Sequence, residues 1–222
     1  KVTSTINQYG DYIQMSDMLI LTAIDNNMVQ ATELLGSQAG RTLDAVTREV
    51  INAGTNVLYA GGKTARAQLS TTDCELKVDD VRKAVKILKS MNAKPFDGGC
   101  FVGIISPDTT YDLQSDPKGV EASKYAGSTQ LFNGEIGKIY GVRFVETTEA
   151  KVFKKAGASS ADVQSTLIIG KNAYGVTEIT GGGLEHITKQ LGSGGSTDPL
   201  NQRATVGWKA TKTAEILVDP YM

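Results

Sequence analysis

The chain has 222 residues, 40% of them hydrophobic and 21% charged, with a formal net charge of −1. This composition is ordinary for a soluble globular protein, and the length allows one large domain or two small ones. The near-neutral charge argues against a dedicated nucleic-acid binder, which usually carries a basic excess. No apolar run approaches the roughly 20 residues that span a bilayer, so we expect no membrane partner.

The first residues predict a strand followed by a short helix. Residues 1–14 interleave Thr, Tyr, Ile and Val with polar residues, as in a strand with one wet face. Ser16 and Asp17 can cap free N–H groups, so a short helix is predicted over 17–25.

A long helix is predicted over about 28–59. Its apolar residues recur at three- and four-residue steps and form one stripe: Ala39, Leu43, Val46, Val50, Ala53 and Val57. Gly36, Gly40 and Gly54 are costly inside a helix. They either permit close packing or break the helix, and the sequence leaves both open.

A second helix is predicted from Val78 to Asn92. Asp79 and Asp80 fall in its first turn, where the helix dipole favours negative charge. Its predicted buried stripe is Val81, Ala84, Val85, Leu88 and Met91. The predicted outward face carries Lys83, Lys86 and Lys89.

The second half of the chain predicts strands with short helices between them. Ser106-Pro107, after a buried strand over Cys100–Ser106, resembles an N-cap followed by proline at the first helical position, and Asp116-Pro117 repeats that pattern. Further strands are predicted at Ile139–Glu146, Ser165–Ile169, Ala204–Lys209 and Ala214–Val218. The glycine-rich stretches at 181–183 and 192–196 are predicted to be flexible loops.

The stretch GEIGKIYG at 134–141 carries three glycines, as phosphate-binding loops often do. Its spacing is GxxGxxxG rather than GxGxxG, and a strand-like run, VRFVE, follows instead of a helix. No helix N-terminus is therefore offered to a phosphate. Gly134, Gly137 and Gly141 are predicted to be structural turn glycines, and we expect no cofactor-binding residues.

The sequence offers little to an enzyme or a metal site. His186 is the only histidine, and no GxSxG nucleophile motif occurs, so it is predicted to be a surface or loop residue. Cys74 and Cys100 form no CxxC pair, and a structural zinc site would lack ligands. We expect no catalytic residue, no metal, no small-molecule substrate and no enzymatic activity.

Four segments resemble the major capsid proteins of phages, in the family typified by coliphage N4. They are CFVGIISPDTTYDLQSD (100–116), NGEIGKIYGVRFVETTEA (133–150), STLIIGKNAYGVTEI (165–179) and DPLNQRATVGWKATKTAEIL (198–217). Their order after a long early helix matches that family, and the resemblance covers essentially the whole chain.

The resemblance implies an α+β Hong Kong 97-like fold with a spine helix, a peripheral domain and an axial domain. Residues 1–15 would be the returning strand of an extended loop that reaches a neighbouring subunit. Residues 16–75 and 197–222 would form the peripheral domain, with the spine helix at about 28–59, and 76–196 the axial domain. The chain begins at Lys1, midway through the family pattern, so we expect an arm and the outgoing half of the loop to precede it.

The resemblance also implies the function. The chain would be a structural virion protein that self-assembles as hexamers and pentamers into an icosahedral shell around phage double-stranded DNA, in the cytoplasm of the bacterial host. Portal, scaffold or decoration proteins and non-specific contact with packaged DNA are implied partners. The alternative is the shell of a nanocompartment or of a prophage-derived particle with the same fold. An enzyme with an unrecognised site is a third hypothesis.

Overall fold

The computed structural model describes residues 2–117, 138–177 and 181–222. Its helices are α1 (Asp17–Thr22), α2 (Asn27–Ile51), α3 (Val78–Ser90) and α4 (Pro107–Ser115). Its strands are β1 (Asn7–Ser16), β2 (Phe101–Ile105), β3 (Lys138–Ile139), β4 (Val142–Glu146), β5 (Val152–Phe153), β6 (Val163–Gln164), β7 (Leu167–Ile169), β8 (Tyr174–Val176), β9 (Glu185–Lys189), β10 (Arg203–Lys212) and β11 (Ala214–Ile216). None of the helices in these ranges has the length and apolar character needed to cross a membrane.

The chain forms two compact units. Unit 1 comprises Lys1–Thr47 and Val176–Glu215, and unit 2 comprises Arg48–Gly175 and Ile216–Met222. The unit boundaries fall within α2, β8 and β11. The sequence-based domain boundaries, 75/76 and 196/197, remain a prediction.

Unit 1 is built on a three-stranded antiparallel sheet in the order β1-β10-β9. β1 pairs with β10 over its whole length, from Asn7 opposite Lys212 to Ser16 opposite Arg203. Residues from this sheet and from α2 share one core, because both elements turn an apolar face inward. The buried members are Met15, Ala31, Leu35, Ala39, Val206, Trp208 and Ala210.

A chain of side-chain hydrogen bonds joins this sheet to α2. The indole Nε1 of Trp208 donates to the side-chain oxygen of Gln38 at 3.1 Å, and the Gln38 amide donates to the carboxylate of Asp11. The first bond satisfies the indole N–H of a tryptophan that is 6% exposed. The bond from Gln38, together with one from the Tyr12 N–H, lowers the pKa of the Asp11 carboxyl below its ordinary value.

Unit 2 contains a four-stranded sheet in the order β3-β4-β2-β7. β2 runs parallel to β4 and antiparallel to β7. α3 and α4 pack against this sheet through one apolar cluster: Val78, Val81, Val85, Leu88, Ala93, Phe101, Ile105, Leu113, Val142 and Phe144. A separate two-stranded pair is formed by β5 and β6.

Two helix starts follow from local sequence as predicted. Ser16 caps α1, because its hydroxyl accepts from the Leu19 N–H at 3.2 Å. Ser106 caps α4 in the same way by accepting from the Thr109 N–H, with Pro107 at the first helical position. The predicted end of α1 at residue 25 is wrong, since Ala23 is already extended.

The prediction that the long helix continues to residue 59 is wrong. α2 ends at Ile51, after which Ala53 and Gly54 make turn bonds to the carbonyls three residues back. The Asp219 carboxylate then accepts from the backbone N–H and the hydroxyl of Thr55, and this N–H is thereby removed from a helical ladder. Val57, placed on the predicted stripe, is 48% exposed.

The two glycines inside α2 neither break the helix nor serve close packing. A Cβ atom added at Gly36 or at Gly40 would meet nothing within 4 Å. At Gly36 and Gly40, therefore, neither alternative left open by the sequence holds: the helix is not broken, and no neighbouring atom packs closely. Gly54 lies just beyond the helix end.

Other predicted bounds also change. α3 ends at Ser90, so Met91 is not part of the buried stripe and is 51% exposed. β1 begins at Asn7 rather than at the first residue. The strand predicted over Ile139–Glu146 is interrupted by a turn at Tyr140 and Gly141, and β9 was not predicted.

Candidate assembly surfaces

Of the three predicted turn glycines, the structure describes Gly141. Gly134 and Gly137 lie outside the described residues. Gly141 lies with Tyr140 between β3 and β4, where Ile139 pairs directly with Val142. Both turn residues have positive φ, 47° for Tyr140 and 84° for Gly141, as a type I′ hairpin turn requires. The structural role of the three glycines as a set remains a prediction.

The histidine and the two cysteines are the groups that the sequence offered for chemistry. His186 lies on β9 and is exposed. Cys74 and Cys100 are free and half-buried. Within the described ranges no three His, Cys, Asp or Glu side chains come together as a metal site would require.

Unit 1 exposes large apolar side chains along α1 and the start of α2. Six of them fall between residues 18 and 34: Met18, Leu19, Leu21, Ile24, Val29 and Leu34. Leu21 is 80% exposed and Ile24 is fully exposed. Apolar exposure concentrated in one segment is typical of a surface that another macromolecule covers.

Strand β1 is the second surface of unit 1. It lies at the edge of its sheet, and among the described strands only β10 pairs with it. A ten-residue edge leaves a row of backbone N–H and C=O groups available to another chain. Tyr12, in the middle of the strand, is 66% exposed.

In unit 2, the end of α2 is held by a group of ion pairs. Arg48 lies 3.2 Å from the Glu49 carboxylate and 3.7 Å from that of Glu149. Lys151 donates a hydrogen bond to Glu49, and this bond is the main reason that the pKa of Glu49 is lowered. Glu49 is about half exposed, so these pairs position the 149–151 segment more than they stabilise the fold.

Helix α3 carries a basic flank. Arg82, Lys86 and Lys89 follow one another at four- and three-residue steps and are exposed. The ring of Tyr140 lies 5.2 Å from the guanidinium carbon of Arg82, and this ring is 55% exposed. Arg82 is also 3.2 Å from Asp79, whereas Lys86 and Lys89 form no ion pair with any described residue.

The opposite flank of α3 borders a cavity of about 360 Å³. Asp80, Ala84 and Ile87 of α3, Thr109 and Asp112 of α4, and Glu75 are among its lining residues. Asp80 is 5% exposed and is paired with Lys83 at 2.9 Å, which raises the pKa of that lysine.

Two neighbouring carboxylates act on Asp112, which lines this cavity. The pKa of Asp112 is raised, first by burial and then by the negative charges of Glu75 and Asp108. Burial and like charge both disfavour the ionised form of Asp112. The sequence did not indicate this cluster, because Glu75 and the two aspartates come together only through the packing of α4 beside α3.

The amino-acid sequence matches the phage capsid protein family over residues 1–221. The chain belongs to the phage capsid protein family. This confirms the resemblance found in the sequence and makes the protein a structural component of the virion capsid, a major capsid shell protein. No curated protein sequence is similar enough to this chain to count as a match.

Several solved structures that are similar to this chain are phage capsids. The capsid of Ralstonia phage GP4 matches with a TM-score of 0.73 at 16% identity, covering 96% of this chain and 69% of that one. The capsid of cyanophage P-SCSP1u matches with a TM-score of 0.71 at 14% identity, covering 98% and 71%. The predicted α+β Hong Kong 97-like fold is thereby confirmed.

The SrpI encapsulin complex from Synechococcus elongatus PCC 7942 is more distant. It matches with a TM-score of 0.59 at 9% identity, covering 97% of this capsid protein and 71% of the encapsulin chain. The same fold therefore also occurs in an encapsulin.

Proposed function

We propose that this capsid protein assembles with copies of itself, as hexamers and pentamers, into a closed icosahedral shell that encloses phage double-stranded DNA. The match to the phage capsid protein family over residues 1–221 carries the proposal. The exposed apolar segment at 18–34 and the unpaired edge of β1 support it, because a shell subunit needs several surfaces that neighbouring copies cover.

We further propose the predicted division of labour between domains. Residues 76–196 would form the axial domain around the symmetry axes, residues 16–75 and 197–222 the peripheral domain, and 1–15 a strand that reaches a neighbouring subunit. The two compact units support a two-domain subunit, although their boundaries fall elsewhere. The shell would form in the bacterial host cytoplasm and act without catalysis. Portal, scaffold or decoration proteins would join it, and its DNA contacts would be non-specific.

A nanocompartment shell is the second candidate, and the encapsulin similarity favours it over unrelated functions. Its particles would hold protein cargo instead of DNA. A prophage-derived particle of the same fold belongs to this alternative as well.

Nuclease protection separates the two candidates. Particles from infected or induced host cells are treated with nuclease, and the protected nucleic acid is measured beside the protein content. We expect genome-length double-stranded DNA in particles whose main protein is this chain. Particles that contain protein cargo and no protected DNA would establish the nanocompartment alternative.

A further inference from the structure

The two flanks of α3 carry opposite charge, and the geometry of the helix fixes their relation. Asp80, Ala84 and Ile87 line the cavity. Val81, Val85 and Leu88 form the buried row, of which Val81 and Leu88 also line the cavity. The basic row is Arg82, Lys86 and Lys89. Each row is displaced from the previous one by one residue, which is about 100° around a helix. The cavity and the basic flank therefore lie on opposite sides of the buried row.

The charges on the two sides are complementary. Lys86 and Lys89 are exposed and have no ion-pair partner among the described residues. Arg82 lies on the same flank, with its guanidinium carbon 5.2 Å from the centre of the Tyr140 ring. On the other side, Glu75 and Asp112 line the cavity, and the carboxylate of Asp112 is repelled by those of Glu75 and Asp108. A cation brought to that side from outside would relieve this repulsion.

We propose that the basic flank of one copy, formed by Arg82, Lys86, Lys89 and Tyr140, docks against the cavity side of the next copy at Glu75, Asp108 and Asp112. This inference rests on the proposed self-assembly and names a contact within it. The two surfaces are different and lie on opposite sides of the same helix, so the contact is head-to-tail. A head-to-tail contact forms a ring when its rotation closes, which is what a hexamer or a pentamer requires.

A second copy fits these observations better than a nucleic acid does. The chain supplies a negative surface itself, since Glu75, Asp108 and Asp112 lie in the same unit as the basic flank. Its overall charge of −1 gives no general attraction to a polyanion. The carboxylates on the other side of α3 would repel phosphate groups.

Charge reversal with rescue tests the contact. Lys86→Glu with Lys89→Glu should raise the protein concentration needed for assembly at least ten-fold, measured by light scattering. The same chain carrying Glu75→Lys and Asp108→Lys as well should assemble near the wild-type concentration. Lys63→Glu with Lys94→Glu is the matched control, since both lysines are exposed in the same unit, and it should leave assembly unchanged. Circular dichroism at low concentration verifies that every variant is folded.

Disulfide trapping is a second test, which detects the contact even if charge reversal changes assembly only slightly. A chain with Glu75→Cys and Lys86→Cys should form a ladder of covalent oligomers on oxidation. The two single variants should not form a ladder when every chain in the experiment also carries Cys74→Ser and Cys100→Ser, because native Cys74 lines the same cavity as Glu75.

Several results would overturn the proposal. Wild-type assembly by the folded Lys86→Glu, Lys89→Glu variant, together with no disulfide ladder, would exclude this contact. Normal shells that lose only their bound DNA would assign the basic flank to nucleic acid instead. A wild-type chain that never assembles, even together with any residues that precede Lys1 in its gene, would remove the proposed function and this contact together, which distinguishes that failure from the other two.

Discussion

The side chain of Asp116 accepts a hydrogen bond from the backbone N–H of Val78, with 2.8 Å between Oδ2 and N, although the residues are 38 positions apart. Val78 is the first residue of α3, and Lys77 before it offers no side-chain cap. The carboxylate at the end of α4 therefore satisfies a donor that the helix itself leaves open.

Removing this cap should weaken unit 2. We expect Asp116→Ala to lower the free energy of unfolding by about 1 kcal/mol, the usual cost of losing an N-cap. Asp116→Asn retains an acceptor oxygen and should lose less. Urea unfolding followed by circular dichroism measures both, and an Asp116→Ala protein as stable as wild type would contradict the capping role.

Removing the Asp112 carboxylate should stabilise the protein at neutral pH, whereas removing the Asp116 cap should destabilise it. Burial, Glu75 and Asp108 raise its pKa in the folded protein, so the folded state holds this proton more tightly than the unfolded state. The free energy of unfolding should therefore fall as the pH rises through the interval from the ordinary aspartate pKa to the raised one.

Asp112→Asn removes that titration. The variant should be more stable than wild type at neutral pH, with the difference shrinking as the pH is lowered through the same interval. Thermal unfolding of both proteins across that pH range measures the effect. A variant less stable than wild type at neutral pH would show that the Asp112 carboxylate is not under electrostatic strain.

Gly10 should tolerate no side chain. A Cβ atom at this position of β1 would lie 2.7 Å from the Trp208 carbonyl oxygen, which is held in the β1–β10 ladder. We expect Gly10→Ala to cost about 1–3 kcal/mol, as overpacking usually does.

Gly40→Ala is the matched control for Gly10→Ala. Nothing lies within 4 Å of its added Cβ, and the position is inside α2. Alanine should stabilise the helix there by up to about 1 kcal/mol. Equal effects of the two substitutions on the unfolding midpoint would contradict the close approach at Gly10.

Gly141 should resist a β-branched residue. Its φ of 84° is a conformation that valine adopts only with strain, so Gly141→Val should destabilise the protein by about 1–3 kcal/mol and impair folding or assembly. Gly141→Asn should be milder, because asparagine tolerates positive φ. A Gly141→Val protein that folds and assembles like wild type would show that the β3–β4 turn is not needed.

The elements that the sequence predicted well are governed by local rules. The caps at Ser16 and Ser106 depend on neighbours three residues away, and the stripe of α3 from Val81 to Leu88 follows the helical period. The family resemblance rested on ordered segments of sequence and was confirmed over residues 1–221.

The features that were missed depend on residues far apart in the chain. α2 ends at Ile51 partly because Asp219, 164 positions away from Thr55, accepts hydrogen bonds from the backbone N–H and the hydroxyl of that residue. The acidic cavity side requires α4 to pack beside α3, and the cap of α3 comes from Asp116. The strand β9 is short, lies between two glycine-rich loops, and is defined by its pairing with β10.

Electron microscopy of the purified protein tests the central claim most directly. The chain, together with any residues that precede Lys1 in its gene, is concentrated under assembly conditions and imaged, with light scattering on the same sample. We predict closed shells or capsomers with five-fold and six-fold symmetry. A protein that remains strictly monomeric at the highest concentration reached would contradict the account.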